Sequence, residues 1–383
     1  MVSRLYPSTR HLWEQIKGIL MDLEVDRGRP RRVVELMALY VAGLILLEKG
    51  QTAVRIATIL PGRAHDALNR LLRVLPWSPQ RLVLGLIRWV QRRGERGYVV
   101  LDDVVVEKPF AKLLAWAGWT YSYSQKRPVF GFHIVVCFWC TPQVRIPIGF
   151  RLWRPKREGM AAYKTKLELG QALIANVLRA GLAFEYLTFD SWYNARWFTK
   201  WLNAQQILWV STLKSNARVT HHNRTQPVEA WARRLPRHRI AGNTWAWIGT
   251  VSLPEYGSVR LVVATNGQGG LDYIVSNDLH RRGKVLLHRK RSRWDIESCF
   301  RDTKQLTGLS ACQCRVPQAM ERHVALVLLA FVVLQQARHD PSQTVGESKR
   351  SLHLRMICGG EPVVGESVVT PRRAELCPLR KFY

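Results

Sequence analysis

Acidic residues are scarce in this chain of 383 residues, which has 28 Asp and Glu against 58 Lys and Arg. The formal net charge is therefore +30. So large an excess of one sign repels itself unless a polyanion or the solvent compensates it. Nucleic acid is the default partner for such a chain, and an anionic membrane surface is the alternative.

Hydrophobic runs long enough to span a membrane are also missing. The two longest are VALVLLAFVVL (324–334) and MALYVAGLILL (37–47), and both fall short of the ~20 residues that a spanning helix needs. The first residues, MVSRLYPSTRHLWEQ, lack the apolar core of a signal peptide. We therefore expect no membrane association and predict that both runs are buried helices.

Cysteine is sparse, with seven residues in the whole chain. An odd count in a long chain argues for a reducing compartment, so we expect a cytoplasmic protein associated with the nucleoid. The CFWC segment (137–140) lies in an apolar run that reads as a strand, where residues three apart point to opposite faces. Cys137 and Cys140 are therefore not expected to share a zinc ion.

The N-terminal part of the chain, residues 1–95, has apolar residues at helical spacing. A short helix stops at Pro61-Gly62, and a second is predicted from about Arg63 to Val74. Two short helices across a tight turn suggest a helix-turn-helix-like segment in a helical DNA-binding domain. Its second helix would present Arg70 and Arg73 to DNA. An ordinary helical hairpin is the alternative.

The sequence pattern changes after residue 96, where segments rich in Val, Ile and aromatic residues alternate with helical patterns. Their order, β-β-β-α-β-α-β, predicts an α/β fold with a mixed sheet and flanking helices over residues 96–340. A β-rich insertion at about 215–280 interrupts it. Residues 341–383 are polar and basic without strong periodicity, and we expect a poorly ordered tail.

Carboxylates occur at unusual places in the predicted strands. Asp102 and Asp103 lie within YVVLDDVVV, and Asp190 closes FEYLTFDSWY. An acidic residue in a buried strand is costly unless it is paired or bound to a metal. If Glu297 reaches the same edge of the sheet, the set has only oxygen ligands, which suits a pair of Mg²⁺ or Mn²⁺ ions. A helix N-cap is the alternative for Asp190.

The segment RSRWDIESCFRDTK (291–304) mixes both signs of charge. Read as one helix, it brings Arg293, Glu297, Arg301 and Lys304 close together, because residues four apart lie one turn above another. A surface helix with ordinary ion pairs explains the pattern equally well when it is taken alone. Asp295 and Asp302 are interpreted as ordinary helix charges.

Three motifs together resemble a known family. LDDVVVEKP, LTFDSWYNA and RWDIESCFRDTK are similar to the motifs of DDE transposases of bacterial insertion sequences, in the RNase H-like superfamily. The last is similar to that family's Y-x2-R-x3-E-x6-K signature, with Arg293, Glu297 and Lys304 in register and Lys290 at the Tyr position. The resemblance extends from roughly residue 60 to 335.

The resemblance implies an RNase H-like catalytic domain, with Asp103, Asp190 and Glu297 as catalytic ligands of two Mg²⁺ or Mn²⁺ ions. It implies cut-and-paste transposition, in which DNA is cleaved at the transposon ends and joined to a target. The expected partners are terminal inverted repeats, target DNA and a second copy of the chain in a synaptic complex. We expect DNA contacts from Arg293, Lys304, Lys290, Arg301 and Lys214.

Two other functions stay open at this point. One is a DNA-binding protein that derives from a transposase and has lost catalysis, and the other is an RNase H-like nuclease. Within the insertion, Trp245 and Trp247 have the same parity in a strand, and either ring is a candidate for stacking on an unpaired base. The alternative is that one or both rings form the core of a small sheet.

Overall fold

The computed structural model describes residues 7–60, 65–111, 113–122, 125–156, 163–253, 256–267 and 269–357. The chain divides into two compact units. The first unit comprises the described residues of Met1–Glu95, Ala180–Leu182 and Asp302–Tyr383, and the second comprises those of Arg96–Arg179 and Ala183–Arg301.

The first unit begins with five helices: α1 (Pro7–Asp22), α2 (Arg31–Leu46), α3 (Ala53–Ile59), α4 (His65–Arg73) and α5 (Pro79–Arg93). After two exposed arginines, the α2 helix is mostly apolar, and its residues from Leu36 to Ile45 are all buried in the core of this unit. Thr52 caps α3 by accepting a hydrogen bond from the Arg55 backbone N–H at 3.3 Å. Gly94 ends α5 at a φ of 64°, a left-handed conformation that glycine adopts without steric cost.

The α3 and α4 helices are the two helices of the predicted helix-turn-helix-like segment. The turn itself, at Pro61-Gly62, lies outside the described residues. The α4 helix is amphipathic, because Leu68, Leu71 and Leu72 are buried on one side. Arg70 and Arg73 are exposed on the other side.

The second unit is built on one sheet, which starts with β1 (Tyr98–Glu107), β2 (Ala117–Ser122), β3 (Arg127–Cys140) and β4 (Arg145–Trp153). The chain continues through α6 (Lys166–Arg179), β5 (Leu187–Phe189), α7 (Arg196–Ala204) and β6 (Trp209–Thr212). β1 pairs antiparallel with β3 and parallel with β5, which in turn pairs parallel with β6. The mixed sheet with flanking helices is confirmed, although β2 was not predicted.

The predicted β-rich insertion contains β7 (Arg218–His221), β8 (Arg224–Pro227), α8 (Val228–Ala232), β9 (His238–Ala241), β10 (Thr244–Leu253), β11 (Gly257–Thr265) and β12 (Leu271–Ser276). β12 pairs antiparallel with β6, so the insertion extends the central sheet. Among the described residues the sheet has 12 strands, ten of which follow the order β2-β3-β1-β5-β6-β12-β11-β10-β7-β8.

Two helices follow the sheet, α9 (Gly283–Arg291) and α10 (Trp294–Leu306). Residues 291–304 were predicted to form one helix, but the helix is interrupted at Ser292 and Arg293. The Arg293 N–H bonds to the Lys290 carbonyl and the Asp295 N–H to the Ser292 carbonyl, at 3.2 and 3.1 Å. These bonds span three residues, so this turn is tighter than an α-helix.

The last helices are α11 (Pro317–Gln336) and α12 (Val345–Ile357), and both belong to the first unit. Among the described residues, α11 alone is long and apolar enough to cross a membrane. However, 83% of its apolar 18-residue stretch is buried inside the protein. Such burial is typical of a core helix. The α11 helix packs against α2, α4, α5 and α12.

The units differ from the predicted boundary near residue 340, because the first unit already includes the chain from Asp302 onward, and α11 packs against α2, α4 and α5. The structure also differs from the predicted tail. A reciprocal capping box starts α12, in which the Thr344 N–H donates to Glu347 Oε2 and the Glu347 N–H donates to Thr344 Oγ1. Residues 358–383 lie outside the described residues.

Candidate active site

Alternation along β1 sends its two adjacent aspartates to opposite faces of the sheet. Tyr98 has the parity of Asp102, and its hydroxyl donates to Asp295 on α10. Leu101 has the parity of Asp103 and packs against Gly170 of α6. Asp102 therefore lies on the α10 face of the sheet, and Asp103 lies on the α6 face.

The strand register places Asp102 beside Asp190. In the parallel pair of β1 and β5, Leu101 is opposite Phe189. The next residue on each chain is Asp102 and Asp190, so the two aspartates follow the last paired position of neighbouring parallel strands. The Asp190 carboxylate accepts the backbone N–H groups of Trp192 and Tyr193, at 2.9 and 3.2 Å. It does not cap α7, whose N-cap residue is Ala195.

Arg293 joins Asp102 to Glu297. Its Nη1 atom lies 3.1 Å from Asp102 Oδ2, and its Nη2 atom lies 2.7 Å from Glu297 Oε1. The side chain is 19% exposed. One guanidinium therefore compensates two carboxylates, one from the strand and one from the helix.

Asp295 anchors α10 to the sheet. It accepts two hydrogen bonds from Arg145 of β4, from Nε at 2.9 Å and from Nη2 at 2.6 Å, and a third from Tyr98 of β1. These charge-assisted bonds fix the first turn of α10, which carries Glu297. Its interpretation as an ordinary helix charge is wrong, because two strands contact it directly.

Asp103 takes part in a different set of contacts on the α6 face. Lys166 Nζ lies 2.5 Å from Asp103 Oδ2, and the Tyr193 hydroxyl lies 3.3 Å from Asp103 Oδ1. Lys166 stands at the start of α6, which a capping box between Thr165 and Glu168 initiates. This aspartate therefore has a cation and a phenol as partners where Asp102 has Arg293.

The pKa values of Asp102 and Asp190 are both raised, although Arg293 lies near them. Burial raises the pKa of Asp102 to about 7, and the negative charge of Asp190 adds to this increase, while Arg293 opposes it. Burial also raises the pKa of Asp190, against the hydrogen bond from the Tyr193 N–H and the charge of Arg293. A further cation at this place would favour the ionised forms.

His133 on β3 is a buried titratable group on the Asp103 face. It is 2% exposed, and burial together with the charge of Lys166 lowers its pKa to about 4. Since this pKa is below the ordinary value of 6.5, the unfolded chain binds a proton more readily as the pH falls from 6.5 to 4. Protonation therefore makes His133 destabilising as the pH falls below about 6.5, and this contribution is small at neutral pH.

We expect His133→Phe to reduce the acid sensitivity of folding, because an aromatic ring that does not titrate replaces the imidazole. Thermal or urea unfolding at pH 7 and pH 5 measures the effect. When the pH falls from 7 to 5, the free energy of unfolding of the variant should rise relative to that of wild type by about 2 kcal/mol. A constant difference at both pH values would contradict the assignment, and His65→Phe, at an exposed histidine, is the control.

The donors of this site fit a hard divalent cation in their chemistry. Asp102, Asp190 and Glu297 offer only carboxylate oxygens, which Mg²⁺ and Mn²⁺ prefer. As they stand, no group of three or more His, Cys, Asp or Glu side chains in the described part of the chain is arranged to hold a metal ion. Arg293 supplies the positive charge between Asp102 and Glu297.

The other predicted contact residues are more dispersed. Lys290 pairs with Asp272 at 2.7 Å and so is already compensated. Arg301 and Lys304 are exposed on α10. Lys214 is exposed just after β6 and lines a cavity next to the loop that follows Asp190.

Trp245 and Trp247 differ in exposure. Trp245 is 36% exposed, and the Arg237 guanidinium lies 4.6 Å from the centre of its ring. Trp247 is half-buried. The pair does not form the core of the extension, where Trp231 is fully buried.

Several residues of the site were missed from the sequence alone. Lys166, Arg145 and Tyr193 have no distinctive spacing relative to the carboxylates, because each reaches the site from a separate element. Thr165 and Glu168 form a recognisable T-x-x-E capping pattern, which predicts the start of α6 and hence the position of Lys166.

A mixed sheet with flanking helices, and with carboxylates at the ends of two neighbouring parallel strands, fits an RNase H-like nuclease domain. The sequence profile of the family described as DDE superfamily endonuclease matches residues 28–246, more than half of the chain, and the protein belongs to this family. The match ends before Glu297. A search among curated proteins gives no significant match. Membership supports a nuclease-type enzyme with DNA as its substrate.

Proposed function

We propose that the protein is a transposase that cuts DNA at the ends of a bacterial insertion sequence and joins them to target DNA. The observation that carries this proposal is the placement of Asp102 beside Asp190 on parallel strands, with Glu297 joined to Asp102 through Arg293. The family supports DNA cutting. The motif Arg293-x3-Glu297-x6-Lys304 supports transposition.

The residues that would hold a pair of Mg²⁺ or Mn²⁺ ions are Asp102, Asp190 and Glu297. When bound, such ions activate a water or a 3′-hydroxyl and stabilise the leaving oxygen. The motif resemblance assigned Asp103 in place of Asp102. The contacts favour Asp102, because it lies on the face of α10, while Asp103 lies on the opposite face with Lys166.

Arg293 has two roles in this proposal. In the metal-free chain it compensates Asp102 and Glu297. During the reaction its guanidinium is suited to hold a DNA phosphate, since it can form two parallel hydrogen bonds to phosphate oxygens. The hydrogen bonds between Asp295 and Arg145 keep the first turn of α10 in place while Arg293 changes from its carboxylate partners to the phosphate.

DNA-end recognition is assigned to the helical N-terminal region, with Arg70 and Arg73 of α4 toward the terminal inverted repeat. Both side chains are exposed on a helix whose other side is buried. Two ends must be brought together for cut-and-paste transposition, so the active form is proposed to be a homodimer. Arg301, Lys304 and Lys214 add nonspecific phosphate contacts.

A base-stacking role is kept for Trp245 in the extended part of the sheet. Its exposed ring and the guanidinium of Arg237 beside it suit an unpaired base near a phosphate. Trp247 is the weaker candidate, because it is half-buried.

The test is an incubation of the full-length protein with Mg²⁺, a plasmid and a labelled duplex that carries one end of the element. The proposal expects cleavage at the end and labelled DNA joined to the plasmid. Binding without cleavage would favour a DNA-binding protein that has lost catalysis. Cleavage without any joining would favour an RNase H-like nuclease, and either result would contradict the proposal.

A further inference from the structure

The strand at one end of the sheet, β2, has an open edge. In the described sheet it pairs with β3 and with no other strand. Phe130 of β3 directs its backbone carbonyl to the opposite side, where it accepts the Lys108 N–H at 2.8 Å. Trp119 of β2 lies opposite Phe130, so these two residues share no backbone hydrogen bonds. The N–H and C=O groups of Trp119 therefore point toward the open edge.

The side chains at this edge are large, apolar and exposed. Trp119 is 71% exposed, and Tyr121, on the same face of β2, is 52% exposed. Phe110 and Leu113, in the segment before β2, are almost entirely exposed. The three aromatic side chains offer on the order of 400 Å² of surface. Together with Leu113 and the strand backbone, they reach the roughly 500 Å² per partner that a specific interface requires.

Other strands at the edges of the sheet have features that prevent further pairing. The β4 strand contains Pro147 beside a β-bulge. The β8 strand has only four residues, and they include Arg224 and Pro227. Short length, charge, proline and bulges all keep an exposed edge from pairing with another chain. By contrast, β2 has six residues, AGWTYS, without charge or proline, and it pairs with β3 in continuous register.

The distribution of charge at β2 favours a second copy of the chain as its partner. A net charge of +30 makes contact between two copies unfavourable over most of the surface. Residues 113–122 include no charged side chain, whereas 22% of the whole chain is charged. Arg127, which lies opposite Ser122, is already paired with Glu107 at 2.7 Å. Two copies can therefore meet at β2 without like charges opposite each other.

We propose that two copies of the chain form a homodimer by antiparallel pairing of β2 with its copy around a two-fold axis. In this contact the outward N–H and C=O groups of Trp119 bond to the facing strand, and the exposed aromatic side chains cover one another. The pairing closes after two copies, because each β2 has one open edge. The inference rests on the proposed function for its need of two copies, but the pairing does not depend on catalysis.

The test is sedimentation equilibrium of the full-length protein after nuclease treatment, in about 0.5 M NaCl, where contacts bridged by DNA are weak. We expect wild type to be a dimer. Trp119→Lys should raise the dissociation constant of the dimer at least about 30-fold, because it removes the ring and places a charge at the edge. Trp197→Lys is the matched control, at a tryptophan that is 42% exposed on α7. It should leave the dissociation constant within about twofold of wild type.

Far-UV circular dichroism checks the folding of each variant, and Trp119→Phe should remain a dimer because it keeps an aromatic ring. If Trp119→Lys does not fold, Trp119→Ala takes its place, with an expected loss of about tenfold. A monomeric wild type would overturn the proposal, whether DNA or lipid covers Trp119 instead. An unchanged dimer in the folded Trp119 variant, or an equal loss in Trp197→Lys, would also overturn it.

The same preparation separates this inference from the proposed function. If the dimer depends on Trp119 but wild type joins no DNA in Mg²⁺, the proposed function fails and the β2 interface stands. If wild type joins DNA and its dimer does not depend on Trp119, the interface fails and the proposed function stands.

Discussion

Asp102→Asn is expected to abolish DNA cleavage, with a loss of about a thousandfold or more, while Asp103→Asn retains activity within about tenfold. The reason is the alternation of β1, which places Asp102 on the face of Glu297 and Asp103 on the face of Lys166. A metal ligand contributes several kcal/mol of charge stabilisation that an amide cannot replace. The measurement is the rate of end cleavage at saturating DNA in Mg²⁺.

The two substitutions form a matched pair, since they are chemically identical and fall on adjacent residues of one strand. DNA binding should stay within about threefold of wild type in both variants, because binding depends on cations spread over the surface. If Asp103→Asn lost cleavage and Asp102→Asn kept it, the assignment from the motif resemblance would be right and the assignment from the contacts wrong.

Replacing Arg70 and Arg73 together with Ala is expected to weaken binding to the terminal inverted repeat by about 10- to 100-fold at physiological salt. Each lost phosphate contact should also reduce the dependence of log affinity on log salt by about one. Both arginines are exposed on α4, opposite its buried leucines. Fluorescence anisotropy over a series of salt concentrations measures both quantities.

The matched control removes the same charge outside α4, at the exposed residues Arg10 and Lys49. An equal loss of affinity in the control double variant would show that net charge, and not the α4 surface, determines binding. Deleting residues 1–95 is a poorer test, because α11 packs against α2, α4 and α5. The deletion would expose the apolar surface of α11.

The sequence predicted most of the central sheet, because β1, β3 and β4 are long and apolar and because clear helical patterns flank the shorter β5 and β6. Asp190 and Glu297 stand at a strand end and on a charged helix, and their role as metal ligands stays a prediction. The sequence did not decide between Asp102 and Asp103 on physical grounds. That choice depends on which helix covers which face of β1, and strand periodicity alone does not contain this information.

Two further differences have a similar origin. The polar composition after Pro341 concealed α12, although Thr344 and Glu347 form a capping box and the Lys349 ammonium donates to the backbone carbonyls of Leu47 and Leu306. The buried partners of Lys349 are distant in sequence, so no local pattern reports them. In the same way, the β-rich insertion was recognised by composition, but its pairing with β6 joins residues 210–212 to residues 274–276, which are distant in sequence.

Binding of Mn²⁺ to the full-length protein without DNA, measured by electron paramagnetic resonance, tests the metal site most directly. We expect wild type and Asp103→Asn to bind Mn²⁺ with similar affinity. Asp102→Asn, Asp190→Asn and Glu297→Gln should each weaken binding at least about tenfold, because each removes one carboxylate ligand. Retention of wild-type Mn²⁺ affinity by Asp102→Asn would contradict the assignment of Asp102 as a metal ligand.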